Sequence, residues 1–235
     1  MHADLHCHSS ASYDSLASVA GLVRVAAERG LTHLAITDHE RIDGALAARD
    51  LAPAELTVIV GEEIRCAVGD AIGLYLERPV APGMSLLDTA AAIHEQGGLM
   101  GIPHPFDRWR SSSLASLRDA ELESVLPQLD FIEAFNGRIP FGSVNERAAD
   151  FAREHGLPGV ASSDAHSLLE VGVAYTRLPG PIRSAAELKA ALPHAQLMPG
   201  RGSMVVRAAM PLIKTVQAFR GNRRVRPAAG GVAPR

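Results

Sequence analysis

Several short apolar runs in this chain are followed at once by motifs of histidine and carboxylate residues. Because strand side chains alternate between two faces, His6 and His8 in the first run project together, while Leu5 and Cys7 point the other way. Two imidazoles on one face can bind one metal ion. Five such motifs occur: Asp4-Leu5-His6-Cys7-His8-Ser9, Thr37-Asp38-His39, Gly61-Glu62-Glu63, Pro103-His104-Pro105 and Ser162-Ser163-Asp164-Ala165-His166. The pattern predicts a metal centre at one end of a barrel.

The apolar runs alternate with segments of helical spacing, which predicts an α/β fold with a mostly parallel sheet. Strands are expected at 3–7, 33–37, 57–63, 98–102, 131–135, 159–162 and 174–178, with a short hairpin strand at 71–76. Helices are expected at 18–29, 85–96, 114–126, 144–155 and 185–192. Metal-binding residue types follow nearly every strand instead of clustering at one switch point, so a closed barrel is favoured over an open sheet.

Composition limits the domain count and the class of protein. A chain of 235 residues that is 47% hydrophobic is long enough for one barrel-sized domain and short for two. It contains no apolar run long enough to span a membrane, so a soluble, cytoplasmic protein is expected. The two cysteines form no CxxC pair, which fits a reducing compartment and argues against sulfur as the metal donor.

The C-terminal segment differs in charge from the rest of the chain. Residues 201–235 carry eight Lys or Arg and no acid, which leaves 15 basic and 26 acidic residues in the first 200, a balance of −11. We expect a barrel over 1–200, an amphipathic helix at 201–220 that packs on it, and a basic, disordered tail at 221–235. The predicted apolar stripe of that helix consists of Val205, Val206, Ala209, Leu212, Ile213 and Val216.

The five motifs, in this order and at these separations, resemble those of the PHP (polymerase and histidinol phosphatase) family of metal-dependent phosphoesterases. The resemblance covers residues 3 to about 180. It implies a distorted (β/α)7 barrel with its metal site at the C-terminal ends of the strands. It also implies two or three divalent transition-metal ions, namely Mn, Zn or Fe, for which imidazole and carboxylate are suitable ligands.

Carried over residue by residue, the family pattern implies three metal sites. His6, His8, Glu63 and Asp164 would bind the first metal; Glu63 would bridge to a second metal that His104 also binds; and Asp14, His39 and His166 would surround a third. The second metal needs a further donor from the fifth strand end, where Glu133 is preferred and Asn136 is the alternative. Asp4 and Asp38 are expected to orient ligand imidazoles. His2, His33, His94, His155 and His194 are expected to have ordinary structural roles.

The resemblance implies hydrolysis of a phosphate ester by a hydroxide that bridges the first two metals. Glu63, His104 and Asp164 would form the catalytic centre, and Arg138 and Arg108 would hold the phosphoryl group, with Arg110 as an equal candidate for an exposed loop cation. The acidic body favours a small phosphomonoester or nucleotide as substrate. The alternative is a nuclease or nucleic-acid-processing accessory protein whose basic tail binds a strand. A non-catalytic, metal-stabilised binding module is a third, weaker alternative.

Overall fold

The strands of this protein form one sheet that curves into a nearly closed barrel. A computed structural model of the chain describes residues 1–107, 114, 117 and 119–224, and these residues form nine strands in the order β7-β6-β5-β4-β3-β2-β1-β8-β9. The strands are β1 (His2–Asp4), β2 (His33–Ile36), β3 (Thr57–Arg65), β4 (Asp70–Leu74), β5 (Leu99–Ile102), β6 (Phe131–Asn136), β7 (Gly159–Ser162), β8 (Tyr175–Arg177) and β9 (Gln196–Met198).

The predicted barrel is confirmed, with nine strands in the described part of the chain where seven and a short hairpin strand were expected; β9 is the strand that was not predicted. Neighbouring strands pair in parallel from β1 to β3 and from β5 to β7, whereas β4 is antiparallel to both of its neighbours. The chain after β1 meets the chain after β7 where Cys7 pairs with Ala165. On the same side, the Thr176 hydroxyl in β8 donates to the Ala161 carbonyl in β7 and accepts from the Ala161 amide.

Seven helices are present in the described residues: α1 (Val19–Glu28), α2 (Asp43–Leu51), α3 (Leu86–His94), α4 (Asp119–Val125), α5 (Gly142–Glu154), α6 (Ala185–Ala191) and α7 (Met204–Phe219). Serine side chains cap the amino ends of α1, α3, α6 and α7, where each hydroxyl accepts from a backbone amide of the first turn. Helix α2 was not predicted. Its buried residues are Gly44, Ala45 and Ala48, which are too small to give a clear apolar period.

Two buried clusters fill the molecule. One includes Leu5, Ile59 and Phe131, and the other includes inward-facing residues of the helices, such as Leu22 of α1 and Ile93 of α3. Burial of large side chains such as these contributes about 1.5–3 kcal/mol each relative to exposure. In residues 1–107 and 119–224, no helix has the length and apolar character needed to cross a membrane.

The C-terminal helix α7 lies over the mouth of the barrel and turns only part of its predicted apolar stripe inward. Val206 is buried and Ala209, Ile213 and Val216 are half-buried, but Val205 is 77% exposed and Leu212 is 67% exposed. Beside the half-buried stripe, Arg207, Met210 and Lys214 line a cavity that also contains carboxylates and imidazoles. Residues 225–235 lie outside the described part of the chain, and a division of the chain at residue 200 stays a prediction.

Candidate metal centre

The strand ends bring the sequence-predicted histidines and acids into one buried cluster. The chain turns into the mouth of the barrel just after β1, β2, β5 and β7, and β3 contributes a residue from its own length. The nitrogen and oxygen atoms that gather there belong to His6, His8, Asp14, His39, Glu63, His104, Asp164 and His166. All of these residues are buried except His39, which is half-buried although its side chain is only 7% exposed. The prediction that these residues meet is therefore fulfilled in the fold, while their assignment as metal ligands stays a prediction.

The tightest group contains His6, His8, Glu63 and Asp164. The Nε2 atoms of His6 and His8 are 3.0 Å apart, and Glu63 Oε2 lies 3.2 Å from each of them. Asp164 Oδ1 lies 3.7 Å from His6 Nε2 and 3.4 Å from His8 Nε2. A tetrahedral ion with bonds of about 2.1 Å separates its ligand atoms by about 3.4 Å. This donor set therefore fits a divalent metal ion.

A second group lies on the other side of His8. Asp14 Oδ2 is 3.4 Å from His39 Nε2 and 3.3 Å from His166 Nε2, and donor atoms of these residues and His8 lie within 4.8 Å of one another. His166 is oriented by its Nδ1 atom, which lies 2.8 Å from the Asp164 carbonyl oxygen. Two imidazoles with one carboxylate can bind a second cation.

The third group contains an acid that the sequence interpretation did not identify. Glu63 Oε1 lies 3.2 Å from His104 Nε2, and Asp70 completes a group whose donor atoms lie within 4.8 Å of one another. Asp70 is also paired with Arg65 at 3.0 Å and with Arg224 at 2.9 Å, so its charge is partly balanced by these two arginines. A cation bound by Glu63, Asp70 and His104 would give Glu63 one oxygen in each of two metal sites.

Glu133 and Asn136, the candidates for a further donor to the second metal, contact other residues of the cluster in this structure, and that assignment stays a prediction. Glu133 Oε1 lies 3.0 Å from His6 Nδ1, while its Oε2 accepts from the His104 backbone amide at 2.7 Å. Asn136 donates its amide to Glu133 at 2.9 Å and to Asp164 at 3.0 Å. These contacts engage both oxygens of Glu133 and direct the Asn136 donor toward acids. Glu133 therefore orients the His6 ring, and Asn136 orients Asp164.

Asp4 and Asp38 also differ from the prediction that they orient imidazoles. Asp4 accepts from the Ser163 amide at 3.0 Å and from the Gly172 amide at 2.9 Å, and so holds the loop that carries Asp164. Asp38 accepts from both the amide and the hydroxyl of Ser9 at 2.6 Å. Burial raises the pKa of Asp4 to about 6 and also raises that of Asp38. Both acids fix loops, which indirectly fixes the donors.

Without a metal, the cluster must balance its charges with protons. Burial opposes ionisation of Glu63 and Asp14, but neighbouring histidines hold both pKa values well below their usual range. Burial also opposes protonation of His39, yet Glu63 and Asp14 raise its pKa to about 9. His166 behaves differently, because burial and the nearby Arg138 charge lower its pKa to about 3. The centre thus favours ionised acids next to cations, which is the arrangement a metal ion stabilises.

Two donors sit on a strained backbone. His104 has φ of 29° and Asp164 has φ of 52°, in the left-handed region that residues with a side chain rarely adopt. Such conformations cost about 1–3 kcal/mol each and persist where the surrounding structure holds them. Here the Glu133 carboxylate fixes the His104 amide, and the His6 carbonyl accepts from the Asp164 amide at 2.9 Å. The strain therefore falls on two residues that point into the cluster.

A cavity of about 490 Å³ opens above the donor groups and is lined by basic residues as well as acids. Its cationic lining consists of Arg138 after β6, Arg207 and Lys214 of α7, and Arg224 beyond α7. Arg138 was predicted, whereas the other three were assigned only to a basic segment. Arg224 lies 2.9 Å from Asp70 Oδ1. Arg108, together with Trp109 and Arg110, lies outside the described residues.

The comparisons with known proteins agree with this fold. Residues 4–104 match the PHP domain model, and residues 142–197 match the PHP-associated domain model. An uncharacterised protein of Methanocaldococcus jannaschii is 32% identical over 177 residues, which are 75% of this chain and 70% of that protein.

Two solved structures share the architecture at low sequence identity. A two-domain protein from Bacteroides vulgatus, containing a predicted PHP-like metal-dependent phosphoesterase, gives a TM-score of 0.68 at 20% identity over 84% of this chain and 65% of that chain. The lesion-specific endonuclease Q from Pyrococcus furiosus gives 0.58 at 16% identity over 84% of this chain and 57% of that chain. This chain thus spans less than two thirds of either structure. By its domain matches and its relatives, the chain belongs to the PHP family.

Proposed function

We propose that this protein is a metal-dependent phosphoesterase that hydrolyses a small phosphomonoester. The observation that carries the proposal is one cavity lined both by members of three groups of potential metal donors, which Glu63 and His8 join, and by four basic side chains. Acids and imidazoles of this kind bind divalent cations, and clustered arginine and lysine residues bind phosphate. Phosphate ester hydrolysis needs both kinds of group.

The predicted ligands fit the metal ions that the family implies, on the donor spacing described above. His6, His8, Glu63 and Asp164 would hold one ion, Asp14, His39 and His166 another, and Glu63, Asp70 and His104 a third. Such ions would lower the pKa of water and neutralise phosphoryl oxygens. Glu133 would keep His6 in one tautomer, since Glu133 accepts from Nδ1 and so leaves Nε2 free to bind a cation.

Arg138 supports the same proposal from the other side of the cavity. It follows Asn136 and Gly137 at the end of β6, and its backbone amide donates to the Asn136 side chain at 2.9 Å. The guanidinium is close enough to lower the pKa of His166. In this position it can bind a phosphoryl oxygen and direct phosphorus toward the donor groups. Arg108 stays a prediction for the same role.

The dimensions of the cavity favour a small substrate over a nucleic acid. A volume of about 490 Å³ is typical of sites for small molecules. Helix α7 lies across its mouth, and Arg207 and Lys214 reach into it from that helix. A nucleic acid duplex would need this mouth to be open. We therefore propose a phosphomonoester with a compact leaving group, and the nuclease alternative becomes an outcome of the test.

The experiment compares three substrates after the purified protein has been loaded with Mn²⁺, Zn²⁺ or Fe²⁺. We expect turnover of p-nitrophenyl phosphate, much slower turnover of bis(p-nitrophenyl) phosphate, and none of a labelled oligonucleotide. His8→Ala should lose activity, whereas the control His194→Gln, at an exposed surface position, should keep it. If the oligonucleotide were the preferred substrate, the nuclease alternative would replace this proposal. Absence of turnover of all three substrates with every metal would refute phosphoesterase function.

A further inference from the structure

The geometry points to an oxyanion-binding subsite that α7 supplies, formed by Arg207 and Lys214. This inference rests on the proposed function, and it names residues that lie outside both family matches, which end at residues 104 and 197. The ligand is an oxyanion of a small substrate, either the reacting phosphoryl group or a second anionic group on the same molecule. Arg207 and Lys214 would thus determine which small phosphates are bound well.

The orientation of α7 is the first observation. Surface helices of globular proteins usually bury an apolar stripe and expose their charged residues. In α7 the residues at spacings of three and four that line or border the cavity are Arg207, Met210, Lys214 and Gln217. The opposite face carries Val205, Leu212 and Phe219, which are 77%, 67% and 88% exposed. Val206 is buried and Ile213 and Val216 are half-buried, so the helix rests on part of its apolar stripe, while its adjoining face brings Arg207 and Lys214 to the cavity, where an anion can reach them.

The attachment of α7 at both ends is the second observation. Near its start, Arg207 Nη1 donates to the Arg138 carbonyl at 2.6 Å, which places the two guanidinium groups on the same wall. Near its end, the Gln217 amide donates to the carbonyls of Ser10 and Ser12 at 2.9 Å, and Asn222 donates to the Ala11 carbonyl at 2.6 Å. These bonds fix the helix over the donor groups, which keeps the backbone positions of Arg207 and Lys214 beside the cavity.

The surroundings of Lys214 are the third observation. Its ammonium lies 5.3 Å from the centre of the Tyr13 ring, and that ring packs 4.8 Å from the His39 ring. Among the described residues, no carboxylate lies within ion-pair distance of Lys214 or Arg207. By contrast, Arg224 on the same wall is paired with Asp70 at 2.9 Å. Among the described residues, Arg207 and Lys214 therefore have positive charges without a carboxylate partner, which can bind an anion, whereas the charge of Arg224 is paired with Asp70.

The test measures binding as well as turnover, in the metal-loaded full-length protein. Arg207→Gln, Lys214→Gln and the double variant are compared with Arg220→Gln, which makes the same charge change at an exposed position outside the cavity. Inorganic phosphate is titrated by calorimetry, and KM and kcat are measured with p-nitrophenyl phosphate and with a phosphomonoester that carries a carboxylate. Melting temperatures identify any variant that fails to fold; Lys214 has no hydrogen bond to lose among the described residues.

We expect each single variant to weaken phosphate binding about tenfold and to raise KM about tenfold, and the double variant to change both about a hundredfold. The value of kcat should change much less, and Arg220→Gln should change neither binding nor KM. A loss confined to the carboxylate-bearing substrate assigns the subsite to a second anionic group, and a loss on both substrates assigns it to the phosphoryl group. Unchanged phosphate binding and KM in the folded double variant would overturn the inference while leaving the hydrolase intact. Phosphate binding that depends on these residues in a protein without turnover would instead refute only the proposed function.

Discussion

Gln217 offers a direct test of how α7 is attached to the barrel, because its side chain binds several backbone carbonyls of one loop at once. The amide is 1% exposed, and it donates to the carbonyls of Ser10, Ser12 and Ser15 in the loop that carries Asp14. In Gln217→Ala these carbonyls lose their donor. At about 1 kcal/mol net for each hydrogen bond, the free energy of unfolding should fall by about 2–3 kcal/mol. That loss corresponds to a melting temperature lower by roughly 5–10 °C.

Urea unfolding followed by circular dichroism measures this change, with Gln196→Ala at an exposed position in β9 as the matched control. The control should change stability by less than about 0.5 kcal/mol. Gln217→Glu should be worse than Gln217→Ala at pH 8, since it places a carboxylate against three carbonyl oxygens without a donor. If Gln217→Glu were as stable as the unmodified protein, the amide could not be the bond that attaches α7 to this loop.

Results for four further variants are expected from the same structure. Glu63→Gln should remove more than one equivalent of bound metal by elemental analysis, because each oxygen of Glu63 faces a different donor group; a loss of one equivalent would make it a ligand of one ion only. Asp70→Asn should remove at most one equivalent of bound metal. Glu133→Gln should keep every equivalent at saturating metal but weaken metal affinity about 10–100-fold in a competition titration, since Glu133 acts through the His6 ring. Burial lowers the pKa of His33, so the unfolded chain binds a proton on this imidazole more readily than the folded protein, and the free energy of unfolding rises with pH. In urea unfolding between pH 5 and 7, His33→Gln should reduce the slope of that rise by up to about 1.4 kcal/mol per pH unit. An unchanged slope would contradict this prediction.

The sequence predicted the donors because parallel strands place their carboxyl ends at one edge of a barrel. An apolar run precedes each of His6, His39, His104 and Asp164. A residue directly after a buried strand lies at the end of the barrel where that strand ends. The order of the motifs and the direction of the strands are enough to predict which residues lie near one another. They do not determine which atoms contact one another.

Asp70 was missed because that rule was applied only to the ends of strands. Asp70 begins β4, which runs antiparallel to β3, and its register partner is Arg65 just beyond Glu63. The amino end of an antiparallel strand lies at the same edge as the carboxyl end of its neighbour. For Glu133 the sequence leaves the role open, since a position at the edge does not show whether a carboxylate faces a metal or the Nδ1 side of an imidazole. Only its contact with His6 Nδ1 distinguishes the two.

The apolar stripe of α7 was predicted wider than the face that the barrel covers, because periodicity identifies an apolar face without showing what that face contacts. Val206 is buried and Ile213 and Val216 are half-buried, but Val205 and Leu212 are exposed, and the cavity beside them is lined by acids and imidazoles. A helix packs according to the complementarity of the two surfaces. The excess of basic residues in 201–235, read against an acidic body, was the signal in the sequence that pointed to this orientation.

The attachment of α7 by Gln217 also sets an order of assembly during synthesis. Every donor of the metal centre has been made once residue 166 has emerged, whereas Gln217 and the carbonyls that it binds are separated by more than 200 positions in the chain. Until α7 is translated, the loop of residues 10–15 lacks the Gln217 amide that binds three of its carbonyls, and the cavity lacks three of its four cations. A nascent chain can therefore acquire metal before it can acquire its full affinity for a negatively charged ligand.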